Sequence, residues 1–106
     1  MTDRIVKKLE ELKKDQGVSQ IAINKLTEFV ETYETQKNPK VLVDKNSNLL
    51  LEFKTGEYIV NVKFDNNENR ELFISSKNRF VKDSSTFDKI PETLKRYGIN
   101  LNKIES

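Results

Sequence analysis

One hundred and six residues, 35% apolar and 34% charged, make one domain with a lean core and a heavily charged surface. Nineteen Lys and Arg against seventeen Asp and Glu leave a net charge of +2, too balanced for a basic footprint on nucleic acid or membrane and too balanced for an acidic DNA mimic. The chain has neither Cys nor His. That composition excludes disulfides, thiolate chemistry and Cys-ligated metal centres, and removes the commonest general base and transition-metal ligand. No apolar run approaches the roughly 20 residues that cross a bilayer. The opening MTDRIVKKLEELKK is charged throughout, so it does not read as a secretory signal, and a cytoplasmic location is expected.

The first helix is predicted over about Asp3–Asp15. Ile5, Leu9 and Leu12 recur at helical spacing with Val6 beside them, Thr2 or Asp3 is placed to cap the start, and Lys13 and Lys14 suit the negative end of the helix dipole. Gly17 is a natural stop. Ser19 is placed to cap a second helix over about Gln20–Thr35, where Ala22, Leu26, Phe29 and Tyr33 form one stripe that Ile23 and Val30 widen. Together, residues 1–36 read as a helical hairpin.

From Lys40 the apolar period changes from 3.6 to 2. Val41 and Val43 alternate, then Leu49, Leu51 and Phe53, then Tyr58, Val60, Val62 and Phe64, then Leu72 and Ile74, with DKNSN, TG and DNNEN as turn chemistry between them. A two-residue loop at Thr55-Gly56 would pair Phe53 with Tyr58, Leu51 with Val60 and Leu49 with Val62. The DKNSN loop would pair Val43 with Leu49 and Val41 with Leu51, and DNNEN would set Val62 against Leu72 and Val60 against Ile74. All three hairpins bury the same face, whereas a one-residue slip would scatter it. Residues 40–82 therefore read as a four-stranded antiparallel meander, with Arg79–Lys82 as a candidate short fifth strand. The tail, 86–98, reads as a short helix with Pro91 in its first turn, Gly98 at its end, and Leu94 and Tyr97 facing inward.

The stretch Asp44–Thr55 opens D-x-N-x-N, like a calcium loop, but the sixth and twelfth positions of that motif require Gly and Glu and hold Leu49 and Thr55. Asp44, Asn46 and Asn48 are read as turn formers, and DNNEN likewise, its acids Asp65 and Glu68 being at most an adventitious cation site. Catalysis has no support. Glu10 and Glu11 are adjacent on a helix and do not share a face, and Glu52 and Glu57 lie on the outer sheet face beside Lys54 and Lys63. The serine pairs Ser75-Ser76 and Ser84-Ser85 lack a base, and the three glycines are isolated at element ends. No catalytic residue, metal site or cofactor is expected.

Two candidate binding surfaces stand against bland readings. In SSKNRFVK, the cations Lys77, Arg79 and Lys82 surround Phe80, an arrangement that holds single-stranded nucleic acid; the bland reading puts Phe80 in the core and the cations on a protected edge strand. On the reverse face of the sheet, Leu42, Leu50, Asn61 and Phe73 would form one row with Ile59 diagonal to it, ringed by Glu52, Lys54, Glu57 and Lys63. An apolar centre inside a charged rim is the anatomy of a protein interface. The competing reading lays the last helix over this row through Leu94 and Tyr97.

The segments KLTEFVETYE, NPKVLVDKNSNLLLEF and YIVNVKFDNN resemble, over about residues 25–67, a diffuse group of small, largely uncharacterised bacterial α+β proteins: a helix, a Pro-x-Val strand, a polar turn and a Leu-Glu-aromatic strand. Pro39, Val41, Leu51, Glu52 and Phe53 carry the likeness. The group usually has Gly in the first turn and Trp after the Glu, where this chain has Asn48 and Phe53. The resemblance implies a small interaction protein, such as an antitoxin, immunity protein or inhibitor, and no catalytic residues.

The expected fold is α+β: an N-terminal helical hairpin packed on a four- to five-stranded antiparallel meander, then a short C-terminal helix. The expected function is a non-enzymatic protein-binding module that docks a protein partner or a second copy of itself through Leu42, Leu50, Ile59 and Phe73, with Glu52 and Lys63 setting register. The alternative is nucleic-acid binding through Lys77, Arg79, Phe80 and Lys82.

Overall fold

The computed structural model describes residues 2–35, 39–66 and 69–104. The helix cap expected from Thr2 or Asp3 and the side chain of Glu68 in the DNNEN loop lie outside the described side chains. Helix α1 spans Thr2–Gln16 and α2 spans Gln20–Thr32. Lys13 and Lys14 occupy the last turn of α1. Ser19 caps α2 as expected, its hydroxyl accepting from the Ala22 amide at 3.1 Å. Tyr33 terminates α2 in extended conformation, earlier than the periodicity suggests, because its backbone pairs with Lys103 of the returning tail.

Five strands follow: β1 Lys40–Val43, β2 Leu49–Thr55, β3 Tyr58–Phe64, β4 Asn69–Ser76 and β5 Arg79–Thr86. They form one antiparallel meander in the order β1-β2-β3-β4-β5. The β1–β2 and β3–β4 registers are the expected ones, with Val43 opposite Leu49 and Val60 opposite Ile74. The β2–β3 register differs by two residues: Thr55 pairs with Tyr58, Phe53 with Val60 and Leu51 with Val62. The two-residue loop is Gly56-Glu57, not Thr55-Gly56. Gly56 has φ +59 and Glu57 does not take a positive φ. That pattern, with glycine in the first loop position, matches the hairpin turn whose twist suits two right-twisted strands. A slip of two keeps every side chain on its face, so the buried set survives while the cross-strand neighbours change.

The fifth strand is twice the expected length. Asp83, Ser84 and Ser85 carry no strand signal, yet pair with Leu72, Glu71 and Arg70. A 3₁₀ turn, Phe87–Lys89, leads into α3, Ile90–Lys95, with Pro91 in its first turn. Gly98, at φ +80, reverses the chain, and the Ile99 amide returns to the Leu94 carbonyl at 3.1 Å, closing the helix end.

All three helices share one face of the sheet: α1 covers β1, α2 covers β2 and β3, and α3 covers β5. Between the layers lies one core in which Phe29 is central, its ring 5.1 Å from Tyr33, 5.8 Å from Phe64 and 6.2 Å from both Phe53 and Phe87. Ile90, Leu94, Ile99 and Leu101 extend that core from the C-terminal end. The competing reading, in which the last helix crosses to the reverse face, is set aside: Leu94 is fully buried on the helical side, and Tyr97 packs there too. Among the described residues no helix is long and apolar enough to cross a membrane.

Candidate functional site

Strand alternation sends Leu42, Leu50, Glu52, Lys54, Ile59, Asn61, Lys63, Glu71, Phe73, Ser75, Phe80 and Lys82 to the face opposite the helices. The two-residue register change rebuilds the expected row. Leu42 faces Leu50 as predicted, but Leu50 then faces Lys63, while Asn61 and Phe73 line up with Glu52. The apolar centre is thereby divided into two patches, Leu42–Leu50 on β1 and β2, and Ile59–Phe73–Phe80 on β3 to β5.

Phe80 is not a core residue. It is 68% exposed and lies beside Phe73, ring centroids 6.4 Å apart at 31°. Strand β5 extends far enough to pair Phe80 with Ser75, which fixes its side chain on the uncovered face. Lys82, directly opposite Phe73 in the same row, sets its ammonium 5.8 Å from the Phe73 ring. Phe80 and Lys82 thus join the partner-binding candidates on one surface. Arg79 does not: it faces the helical side, its guanidinium 5.3 Å from the Tyr97 ring. Lys77 stands at the tip of the β4–β5 hairpin.

A belt of ion pairs crosses the same face. Lys63 reaches Glu71 at 3.4 Å and Asp44 at 3.8 Å, and Lys82 reaches Glu71 at 3.6 Å. These pairs are half-exposed and individually worth little, but together they hold both charge signs in fixed places beside the aromatic patch. Glu52 accepts a long contact from the Asn61 amide at 3.5 Å.

Asp44 is a turn residue, as its sequence context implies. Its Oδ1 accepts the amides of Asn46 (2.8 Å) and Asn48 (2.9 Å), and Asn48 Nδ2 donates to Oδ2 at 3.3 Å. Burial pushes this carboxyl up, but those donors and the Lys63 charge outweigh it and hold it below the usual carboxylate value. Ser47 takes φ 62, and its hydroxyl ties the turn to the end of α1 by donating to the Gln16 carbonyl at 3.0 Å. Among the described residues no group of three or more Asp or Glu side chains converges to hold a metal ion.

Two features escape the sequence reading. One is a polar clasp between β5 and the end of α3, where the Tyr97 hydroxyl donates to Asp83 Oδ2 at 2.7 Å. The other is an open groove of about 610 Å³ between α1 and α2, floored by Val6, Leu9 and Ile23 and walled by a chain of bonds from Lys13 to Gln20 (2.7 Å) and from Gln20 to Asn24 (2.8 Å). Helical periodicity places Val6 beside the inward stripe and leaves undecided which wall it joins.

Compared with protein-family models, with curated proteins and with solved structures, the chain matches none. The likeness over residues 25–67 rests on its own residues.

Proposed function

We propose that this chain is a non-enzymatic protein-docking module whose contact surface is the uncovered face of the sheet. The observation that carries the reading is the placement of all three helices on one side. Leu42 and Phe80 are left exposed on the other side, and Leu50, Ile59 and Phe73 half-exposed. Exposed aromatic rings inside a polar rim are typical interface anchors. The partner is a protein with an apolar patch and charges of both signs: an effector that the module restrains, or a second copy.

The charge pattern favours protein over nucleic acid. A strand tracking along Phe73 and Phe80 would meet Glu52 and Glu71 as well as lysines, and Lys63 and Lys82 already contact Glu71. Phosphates need an excess of cations, and Arg79, part of the nucleic-acid candidate, lies on the other face.

The test is a pair of substitutions, Ile59→Asp and Phe73→Asp, with Ile21→Asp on exposed α2 surface as control. Loss of partner or self-association with an unchanged circular dichroism spectrum is expected for the first two alone. Unfolding of the monomer by either would assign these residues to the core and end the reading.

A further inference from the structure

We infer that the occupant of this face is a second copy of the chain, packed sheet on sheet about a two-fold axis that crosses the strands between the Glu52 row and the Lys54 row. The inference rests on the docking reading and names its partner.

The argument begins with the register. One row across the face is Glu52, Asn61, Phe73, Lys82, and the next is Lys54, Ile59, Ser75, Phe80. A two-fold axis lying between them, parallel to the sheet and perpendicular to the strands, sets β2, β3, β4 and β5 each over its own copy running the other way, and leaves β1 to one side of the axis. Aligned strands of this kind are one of the two stable ways in which sheets pack face to face. The first row of one copy then lies over the second row of the other.

The charged contacts that follow are complementary. Glu52 meets the partner subunit's Lys54. Lys82 meets the partner subunit's Phe80, extending the cation–ring stacking already made with Phe73. Ile59 lies over the central Asn61 of the partner subunit, and Phe73 over the small Ser75 of the partner subunit. One row further out, Lys63 lies over the hairpin turn that carries the partner subunit's Glu57, and Glu71 over the turn that carries the partner subunit's Lys77. Two-fold symmetry doubles each of these pairs, and none of them sets like charge against like. A self-complementary patch is what an isologous dimer requires.

The area suits a weak, transient contact. Four overlapping strands about 4.8 Å apart, seven residues long at about 3.3 Å each, present roughly 440 Å². Two copies bury roughly 890 Å², the scale of a transient encounter rather than of a permanent interface. The dimer is therefore a reversible one, populated at high protein concentration.

Sedimentation equilibrium from micromolar to several hundred micromolar tests it, with circular dichroism confirming the fold of each variant. A concentration-dependent dimer is expected. Glu52→Lys should weaken it at least tenfold, because lysine then faces lysine across the axis twice. Adding Lys54→Glu to that variant should return the association to within a few-fold of the starting chain. Phe80→Asp should abolish it, and Ile21→Asp should leave it unchanged. A chain that stays monomeric throughout overturns the second copy as occupant but leaves the docking face to the Ile59→Asp and Phe73→Asp test. A dimer that survives both Glu52→Lys and Phe80→Asp also overturns the inference, since it must use another surface.

Discussion

The Tyr97 hydroxyl donates to Asp83 Oδ2 at 2.7 Å, joining the turn after α3 to the middle of β5. Asp83 sits on the helix-facing side of a strand where an apolar residue would be usual, and this bond explains its place: a half-buried carboxylate needs donors, and it has Tyr97 and the Ser84 amide at 2.7 Å. Arg79, its guanidinium stacked over the same ring, completes the clasp. The segment that keeps the last helix off the reverse face is thus held partly by polar contacts and partly by Ile90 and Leu94 in the core.

Tyr97→Phe should therefore destabilise the protein by about 1 kcal/mol, less than a fully buried hydrogen bond to a charge because both partners are half-exposed. It should also change the acid limb. The Tyr97 hydroxyl, chiefly, and the Ser84 amide hold the Asp83 carboxyl below its usual value, against a smaller push upward from burial and with help from the Arg96 charge. A folded-state value below the unfolded one contributes stability that is complete above the unfolded value, near pH 4, and is lost as pH falls through the folded value. Thermal melts between pH 5 and pH 2 should be flatter for Tyr97→Phe than for the parent. On the alkaline side, the same bond raises Tyr97 above its ordinary value, so its contribution is complete below about pH 10 and declines above it. Equal pH slopes for the two proteins would show that the bond does not form in solution.

Phe80 and Phe29 make opposite predictions. Phe80 is 68% exposed and Phe29 is fully buried among four aromatic rings. Phe29→Ala should cost about 3–5 kcal/mol in urea denaturation, from lost transfer energy and the cavity it leaves. Phe80→Ala should stay within about 0.5 kcal/mol at concentrations where the chain is monomeric. A large cost at Phe80 would mean that its ring is covered in the monomer.

The turn at Gly56 gives a third prediction. A Cβ at this position meets nothing within 4 Å, so only the backbone conformation, φ +59, resists substitution. Gly56→Ala should cost about 1–2 kcal/mol without changing the sheet's register. A substitution without effect would show that Gly56 does not hold a positive φ in solution, and backbone hydrogen-exchange protection at Thr55 and Tyr58 would distinguish the two pairings.

The architecture was legible because two signals agreed. Each of the three hairpins placed its bulky side chains on the same side, and a register error of two at β2–β3 could not disturb that, since the side-chain period is also two. The site was less legible for the same reason. Faces depend only on parity, but rows across strands depend on the true offset, so Leu50 was assigned to Asn61 when it faces Lys63. Phe80 escaped because β5 holds too few apolar residues to display alternation, and its inner positions, Asp83 and Ser85, are polar. Local pattern does not reveal that a polar residue faces inward when the partner satisfying it lies 14 positions away, as Tyr97 does. The destination of α3 is a packing outcome, settled by the match of Ile90, Leu94, Ile99 and Leu101 to the end of the core.

The last prediction separates the docking face from a nucleic-acid surface by salt. Single-strand binding through Lys77 and Lys82 would release counterions, and affinity would fall steeply as salt rises, in proportion to the phosphates contacted. Association through Ile59, Phe73 and Phe80 draws on apolar burial, with ion pairs that sit at a solvated rim and contribute little each. Raising salt from about 50 to about 500 mM should change protein association by less than about tenfold, whereas a single-strand surface making three or four phosphate contacts would lose roughly one hundred- to six hundredfold. Replacing Lys77 and Lys82 with Gln should leave the apolar anchoring in place and reduce affinity only modestly. Tight, strongly salt-sensitive binding of a single-stranded oligonucleotide, abolished by those same two substitutions, would transfer the face from protein to nucleic acid. The Phe73–Phe80 pair would then be a stacking platform, and the carboxylates of Glu52 and Glu71 would lie beside its phosphates.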